Sequence, residues 1–518
     1  MEGGEGMKIL PIGIQTFSEI INRNCYYVDK TNFALSLIQK GKYYFLSRPR
    51  RFGKTLFVDT LAEIFLGNKE LFSGLYIYDK YNFTSYPVIR ITFGSGDYTG
   101  EGSIYKEIER IFERNERELN IKCKDKSDPR GCLEELIYKT YKKYDKQVVI
   151  LIDEYDKPIL DNITNIETAK KARNILRNFY GTLKDNDKYI RFVFITGVSK
   201  FSKLNLFSGL NNLEDITLNT DYAEICGYTN RDLIEVFGDL IRNIDLEQVR
   251  KWYNGYNYFK TPLYNPFDIL LFISNKYEFR NYWWGTGNPK FLIDKLKEGT
   301  YYIPEIENSI ITEEGLESFD IEYIDPVALL WQTGYLTFED RFYDEAGGLI
   351  YKLKVPNLEI QLSLNQLFID YLTNQKYEKI RYRLELQKLL KMGKVEDFIA
   401  LLRIIFAKIP YTNYANNIIA KYEGYYSSVI FVYLMALGYE VIPEDITNKG
   451  RIDLTLKTEN NIVILEFKVD ISEPAIKQIK EKKYYEKYIN EGKTIYIIGI
   501  NFDSKEKNIS SYAFEKIR

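Results

Sequence analysis

Between about residue 40 and residue 220, short apolar runs alternate with helix-length segments whose apolar positions recur every three or four residues. The runs are Tyr43–Leu46, Val88–Phe93, Val148–Ile152 and Phe192–Thr196, and the segments between them are Thr55–Leu66, Ser103–Leu119 and Ala169–Leu183. That alternation predicts a mostly parallel sheet with crossover helices. Val148–Ile152 and Phe192–Ile195 are apolar without interruption, as expected of strands buried on both faces, so both belong in the middle of the sheet.

From about 228 to 375 the pattern turns helical and irregular, with aromatic–glycine segments at Trp252–Tyr256 and Tyr282–Gly287, and reads as a lid and connector. Beyond it the spacing predicts helices at Tyr377–Lys391, Val395–Ala407 and Ala415–Leu437. Strands follow at Arg451–Leu456 and Ile462–Val469, then a helix at Glu473–Ile489 and a strand at Thr494–Ile500. The expected organisation is an α/β domain at 7–227, a helical region at 228–375 and a second α/β domain at 376–518.

Composition narrows the chemistry. The 518 residues contain no histidine, which removes Ser-His-Asp and Cys-His catalysis and every metal site that needs imidazole. Acid–base work falls to carboxylates, lysine, tyrosine or metal-activated water. Lys+Arg (71) and Asp+Glu (73) nearly cancel, so any polyanion site is a local patch. The 45 tyrosines and 31 phenylalanines are spread evenly and read as packing. Cys25, Cys123, Cys132 and Cys226 show no metal-ligand spacing and read as reduced thiols, with a Cys123–Cys132 bridge as the alternative. The acidic, glycine-rich start lacks the pattern of a signal peptide, and no apolar run approaches the roughly 18 residues of a membrane span. A cytoplasmic protein is expected.

Two constellations carry chemistry. The first is Ser47-Arg48-Pro49-Arg50-Arg51-Phe52-Gly53-Lys54-Thr55, placed between a strand and a helix. Backbone amides of such a loop, with Gly53 and Lys54, can hold nucleotide phosphates while Thr55 takes Mg²⁺. Arg48 stands where the generic loop has its first glycine. About 100 residues on, the apolar strand ends in Asp153 and Glu154, which can hold Mg²⁺ through water and polarise the attacking water. Thr196 and Ser199 end the neighbouring strand and are candidate γ-phosphate sensors or plain strand-end residues. Arg50 and Arg51 are candidate phosphate contacts or surface ion pairs.

The second constellation is Asp453 on one strand with Glu466 and Lys468 on the next. Pairing brings the carboxylates together for Mg²⁺, with the Phe467 carbonyl as a third oxygen and Lys468 beside the attacking water. Glu423, on the preceding helix, can add a carboxylate. Gln478, Lys482 and Tyr485 recur at i, i+4 and i+7, one helical face for substrate phosphates. Lys477, Lys480, Lys483 and Lys487 lie on the same segment, interleaved with Glu481 and Glu486.

With these residues in this order, the sequence resembles the AAA-ATPase-like family whose members carry a C-terminal PD-(D/E)XK nuclease-superfamily domain. The likeness runs from about Met7 to Phe502. It also rests on Tyr27–Thr31, Leu151–Asp156, Thr196–Ser202, Phe207–Leu213, Tyr264–Phe267, Val355–Ile360 and Gly450–Leu454. The resemblance implies a P-loop NTPase domain and a restriction-endonuclease-like α/β domain. It implies ATP binding through Lys54 and Thr55, hydrolysis through Asp153 and Glu154 with Mg²⁺, and a nuclease-type centre at Asp453, Glu466 and Lys468, where Mn²⁺ is an alternative metal. DNA or RNA is the expected partner, and a homo-oligomer stays open. The leading expectation is an ATPase that controls a nuclease. The alternative is a nucleotide-dependent switch whose nuclease-like domain only binds nucleic acid or protein.

Overall fold

The computed structural model describes residues 8–100, 102–200, 206–207, 209–283, 303–307, 309–317, 319–375, 378–410 and 423–518. Phe201, Ser202, Ser208, residues 284–287 of the aromatic–glycine segment, Tyr377 and residues 415–422 of the expected helix lie outside them. The chain forms two units, one of residues 1–282 with 310–357, the other of residues 283–309 with 358–518.

In the first unit five parallel strands, β1 (Tyr43–Ser47), β2 (Val88–Thr92), β3 (Val148–Asp153), β4 (Ile190–Gly197) and β5 (Glu214–Asp215), lie in the order β2-β3-β4-β1-β5. Every residue of β3 is buried, as its unbroken apolar run requires. Ser47 pairs with Gly197 and Thr92 with Asp153, so the carboxyl ends of β1, β3 and β4 share one edge. Ligands of open parallel sheets bind at that edge. Helix α1 (Lys54–Leu66) leaves the end of β1 between two left-handed glycines, Gly53 (φ 92°) and Gly67 (φ 85°). Helices α2 (Ser103–Leu119) and α3 (Pro129–Tyr144) cross from β2 to β3, and α4 (Ile166–Asp185) precedes β4.

The pattern reading misses α3, which begins at a proline in its first turn. Cys123 and Cys132 are not the reduced thiols expected first but take the alternative, a bridge. The α2–α3 connector folds Cys123 back onto the first turn of α3, and the two cysteines form a disulfide across a separation of 9 residues. Cys25 and Cys226 are free and buried.

Helices Asn230–Ile241, Leu246–Tyr253 and Pro266–Ser274 follow, packed around Phe237, Tyr253 and Phe272. The remainder of this unit is less helical than its pattern suggests. β6 (Ile310–Thr312), β7 (Thr337–Tyr343) and β8 (Leu349–Lys354) form an antiparallel sheet in the order β6-β8-β7.

The second unit holds the helices Leu358–Thr373, Lys379–Lys391, Val395–Ala407 and α5 (Glu423–Met435). Its sheet has the strands β9 (Glu440–Thr447), β10 (Gly450–Lys457), β11 (Asn461–Val469), β12 (Thr494–Asp503) and β13 (Asn508–Lys516) in sequential order. Only the β11–β12 pairing is parallel. The crossover expected as one helix at Glu473–Ile489 is two pieces. α6 (Ala475–Lys482) stops at Lys483, which turns left-handed (φ 50°), and a 3₁₀ segment Tyr484–Glu491 follows. Isoleucines of β10, β11 and β12, with Ile479, Tyr484 and Tyr488, form the core beneath them. Among the described residues no helix is long and apolar enough to cross a membrane.

Candidate functional site

The loop between β1 and α1 curls through two left-handed residues, Arg51 (φ 66°) and Gly53 (φ 92°). Such turns line up backbone N–H groups for an anion. Lys54, at the start of α1, is buried and donates from Nζ to the carbonyls of Arg48 and Pro49, both at 2.8 Å. Burial lowers its pKa, opposed by the charge of Asp153. The Thr55 side chain is hydrogen-bonded to Asp153 at the end of β3. Burial raises the Asp153 pKa, and Thr55 and Lys54 pull it down. Glu154 leaves the strand left-handed (φ 52°) and donates its N–H to Asp153 Oδ1 at 3.0 Å. Its own pKa is raised by burial and then by Asp153. Lys54, Thr55, Asp153 and Glu154 therefore stand together.

The other expected residues of this site are placed differently. Thr196 is fully buried, and its hydroxyl donates to Leu46 O at 2.8 Å, so it is occupied inside the sheet. The Ser199 hydroxyl donates to Asp156. Arg50 is exposed, while the Arg51 guanidinium lies 4.1 Å from the centre of the Phe267 ring. Two participants escaped the sequence reading. Asp156 is buried and gathers the Val198 N–H (3.1 Å) and Ser199 N–H (2.6 Å), joining the ends of β3 and β4; its signal was a third acid in Asp-Glu-Tyr-Asp. Gly94 lies against the Glu154 carboxylate, where an added Cβ would come within 3.2 Å of Oε2.

The second centre lies where β10 and β11 part. Their ladder runs from Lys457↔Ile462 to Leu454↔Leu465; one step further the Asp453 carboxylate accepts the Phe467 N–H at 2.7 Å. Phe467 is thereby engaged through its amide, while Glu466 and Lys468 flank it. Gln478, on α6, spans the two: its amide nitrogen donates to Glu466 Oε1, and its carbonyl accepts from Lys468 Nζ at 2.7 Å. Sequence spacing put Gln478 on a substrate face, but here it touches the centre itself. Lys482 is exposed with no ion pair among the described residues, and Tyr485 packs against the core beyond the break at Lys483, so the three do not share one helical face. Tyr484 takes up a hydrogen bond with the Gln478 side chain. Lys477, Lys480, Lys483 and Lys487 all form ion pairs, with Glu473, Glu515, Glu486 and Asp445.

Electrostatics single out the carboxylate pair. Burial, followed by the charge of neighbouring acids, pushes Asp453 up to about 7; burial and then Asp453 push Glu466 up to about 9. Glu423 opens α5 and raises both, and its own pKa is raised by burial with Lys468 opposing. Glu466 Oε2 is buried without a hydrogen-bond partner among the described residues. An orphaned oxygen beside a second desolvated carboxylate is a site that a proton or a divalent cation satisfies. Asp453 and Glu466 thus fit a metal. No group of three acids among the described residues is close enough to share one ion, so Glu423 is not brought into the pair.

The pH dependence has a definite sign. A carboxyl whose folded pKa lies above its unfolded value gives stability that is complete below about pH 4 and is lost as pH rises through the folded pKa. Without metal, melting of this unit is expected to weaken from about pH 4 to pH 9. Mg²⁺ or Mn²⁺ is expected to restore it, increasingly so toward alkaline pH as protons leave the pair. Thermal melts in chelator and in excess metal across that range measure both trends; a metal effect independent of pH would remove the pair as ligands.

Comparison with known proteins finds a family match over each of the two stretches of chain. Residues 11–207 match a family described as predicted AAA-ATPase, and residues 421–512 match the PD-(D/E)XK nuclease superfamily. A relative from Azotobacter chroococcum mcd 1, named "Uncharacterized protein in vnfD 5'region", is 42% identical over 515 residues, 98% of this chain and 99% of the relative. No solved structure matches the chain.

Proposed function

The chain belongs to the predicted AAA-ATPase-like family and ends in a domain of the PD-(D/E)XK nuclease superfamily, and from that premise we propose an ATPase coupled to metal-dependent cleavage of DNA or RNA. The observation that carries the reading is the second centre: a buried glutamate with an oxygen unsatisfied among the described residues, beside the half-buried Asp453 and joined to Lys468 through one glutamine.

At the first centre the loop amides and Lys54 bind the phosphates of ATP, with Lys54 held by the carbonyls of Arg48 and Pro49 and its third ammonium N–H given to phosphate. Thr55 and Asp153 would hold Mg²⁺, which supplies stabilisation of the charge developing on phosphate. Glu154, with its raised pKa, orients the attacking water and takes up its proton. At the second centre Asp453 and Glu466 would hold Mg²⁺ or Mn²⁺. Gln478 fixes Glu466 and Lys468 at once, and Lys468 presents its ammonium to the attacking water or the phosphate. The reading carries a cytoplasmic location with it.

A second reading is favoured by the lack of a three-acid set among the described residues: a nucleotide-dependent switch whose second domain binds without cutting. The test incubates the protein with labelled single- and double-stranded DNA and RNA, in Mg²⁺ or Mn²⁺, with and without ATP, while following phosphate release. Metal-dependent cleavage together with ATP turnover supports the first reading. Turnover and nucleic-acid retention without cleavage support the second.

A further inference from the structure

Arg48, where a phosphate loop ordinarily opens with glycine, is 1% exposed. Its Nη1 donates to Ser47 O (2.9 Å) and Thr217 O (2.8 Å), and its Nη2 to Tyr222 O (3.2 Å). The guanidinium carbon lies 3.7 Å from the centre of the Tyr258 ring. Burying an always-charged group is costly, and what compensates it here is three carbonyls and an aromatic face. Asp215, an acid whose charge reaches it, is itself paired with Lys200 at 3.0 Å.

Other loop residues grip the same stretch of chain. Phe52, fully buried, meets the Tyr256 ring edge-on at 4.8 Å and closes against Gly227. Arg51 covers Phe267, and Asn265 Nδ2 donates to Arg50 O at 3.5 Å. The carbonyl of Arg48 is in turn one of the two that hold Lys54 Nζ. One residue thus joins residues 217–258 by its side chain and the phosphate-binding lysine by its backbone.

We propose that Arg48 is a positioning residue of the nucleotide site, which sets the place of Lys54 and ties nucleotide binding to the packing of residues 217–267. The inference rests on the ATP-binding reading above. Linkage makes it reciprocal: if that packing supports the loop, a bound nucleotide steadies that packing.

The test uses the full chain with a fluorescent ATP analogue and Mg²⁺, and follows amide hydrogen exchange at 217–227 and 254–260. In wild type the nucleotide is expected to slow exchange in both stretches. Arg48→Met is expected to weaken nucleotide binding about tenfold or more, the scale of losing charge-assisted hydrogen bonds, and to abolish that slowing. The KM for ATP is expected to rise by a larger factor than kcat falls, and Arg48→Lys restores part of the affinity. Tyr258→Leu leaves the loop sequence intact and is expected to weaken binding in the same direction, which covers the case that Arg48→Met does not fold. Wild-type affinity and protection in either folded variant would overturn the proposal alone. A wild type that binds no nucleotide would overturn the ATP-binding reading and this inference with it.

Discussion

Asp453→Asn is expected to abolish metal-dependent cleavage and, in metal-free buffer at pH 8, to raise the melting temperature of the second unit. The asparagine keeps an oxygen for the Phe467 N–H, so the junction of β10 and β11 is preserved. It removes a half-buried charge whose proton affinity is raised chiefly by desolvation, and relieves Glu466 of the neighbour that raises its own. The stabilisation is on the order of 1–2 kcal/mol, grows as pH rises, and disappears near pH 4, where both carboxyls are protonated in the folded and unfolded chains. Metal reverses the order, since wild type gains from Mg²⁺ or Mn²⁺ and the variant does not. Sites built for function commonly trade stability in this way. Paired melts with and without metal, beside a cleavage assay, read every part. Cleavage that survives in Asp453→Asn would exclude this carboxylate from the reaction, whatever the melts show.

What the sequence disclosed follows from where each signal resides. Strands β3 and β11 are written in unbroken apolar runs ending in acids, so both centres could be placed from Val148–Glu154 and Ile462–Lys468. β9 and β13 escaped because edge strands carry polar residues on their exposed faces, as Ser510, Ser511 and Glu515 do, and blur the period of two. The break at Lys483 is invisible to periodicity, because a lysine carries no helix-stop signal; only the left-handed backbone reveals it. That single turn separates Tyr485 from Gln478. The role of Gln478 lies in a contact across from α6 to β11, which local spacing cannot encode. Arg48 is the sharper case, since a loop arginine reads as a phosphate ligand or a surface charge, and its burial depends on carbonyls some 170 residues downstream.

The largest effect at the first centre is expected from Glu154→Gln, which should bind ATP about as well as wild type and hydrolyse it about 10²–10⁴-fold more slowly, the usual worth of a positioned general base. Binding is spared because the groups assigned to phosphate and Mg²⁺ are Lys54, Thr55 and Asp153, and the Glu154 N–H to Asp153 Oδ1 bond is a backbone one that the substitution retains. Glutamine keeps the shape that fits against Gly94 but cannot take up a proton. Gly94→Ala provides the complementary test, because its Cβ would crowd the Glu154 carboxylate from 3.2 Å without touching the loop. It should lower kcat with little change in KM, by less than Glu154→Gln does. Single-turnover hydrolysis beside equilibrium nucleotide binding separates these outcomes. Unchanged turnover in Glu154→Gln would move the base elsewhere, with Asp153 the remaining acid beside Thr55. If ATP state governs the second centre, the slow variant held in ATP should also fix cleavage at one level, high or low. Wild type would instead drift between levels as its ATP is consumed, so the same preparation reports the base and the coupling together.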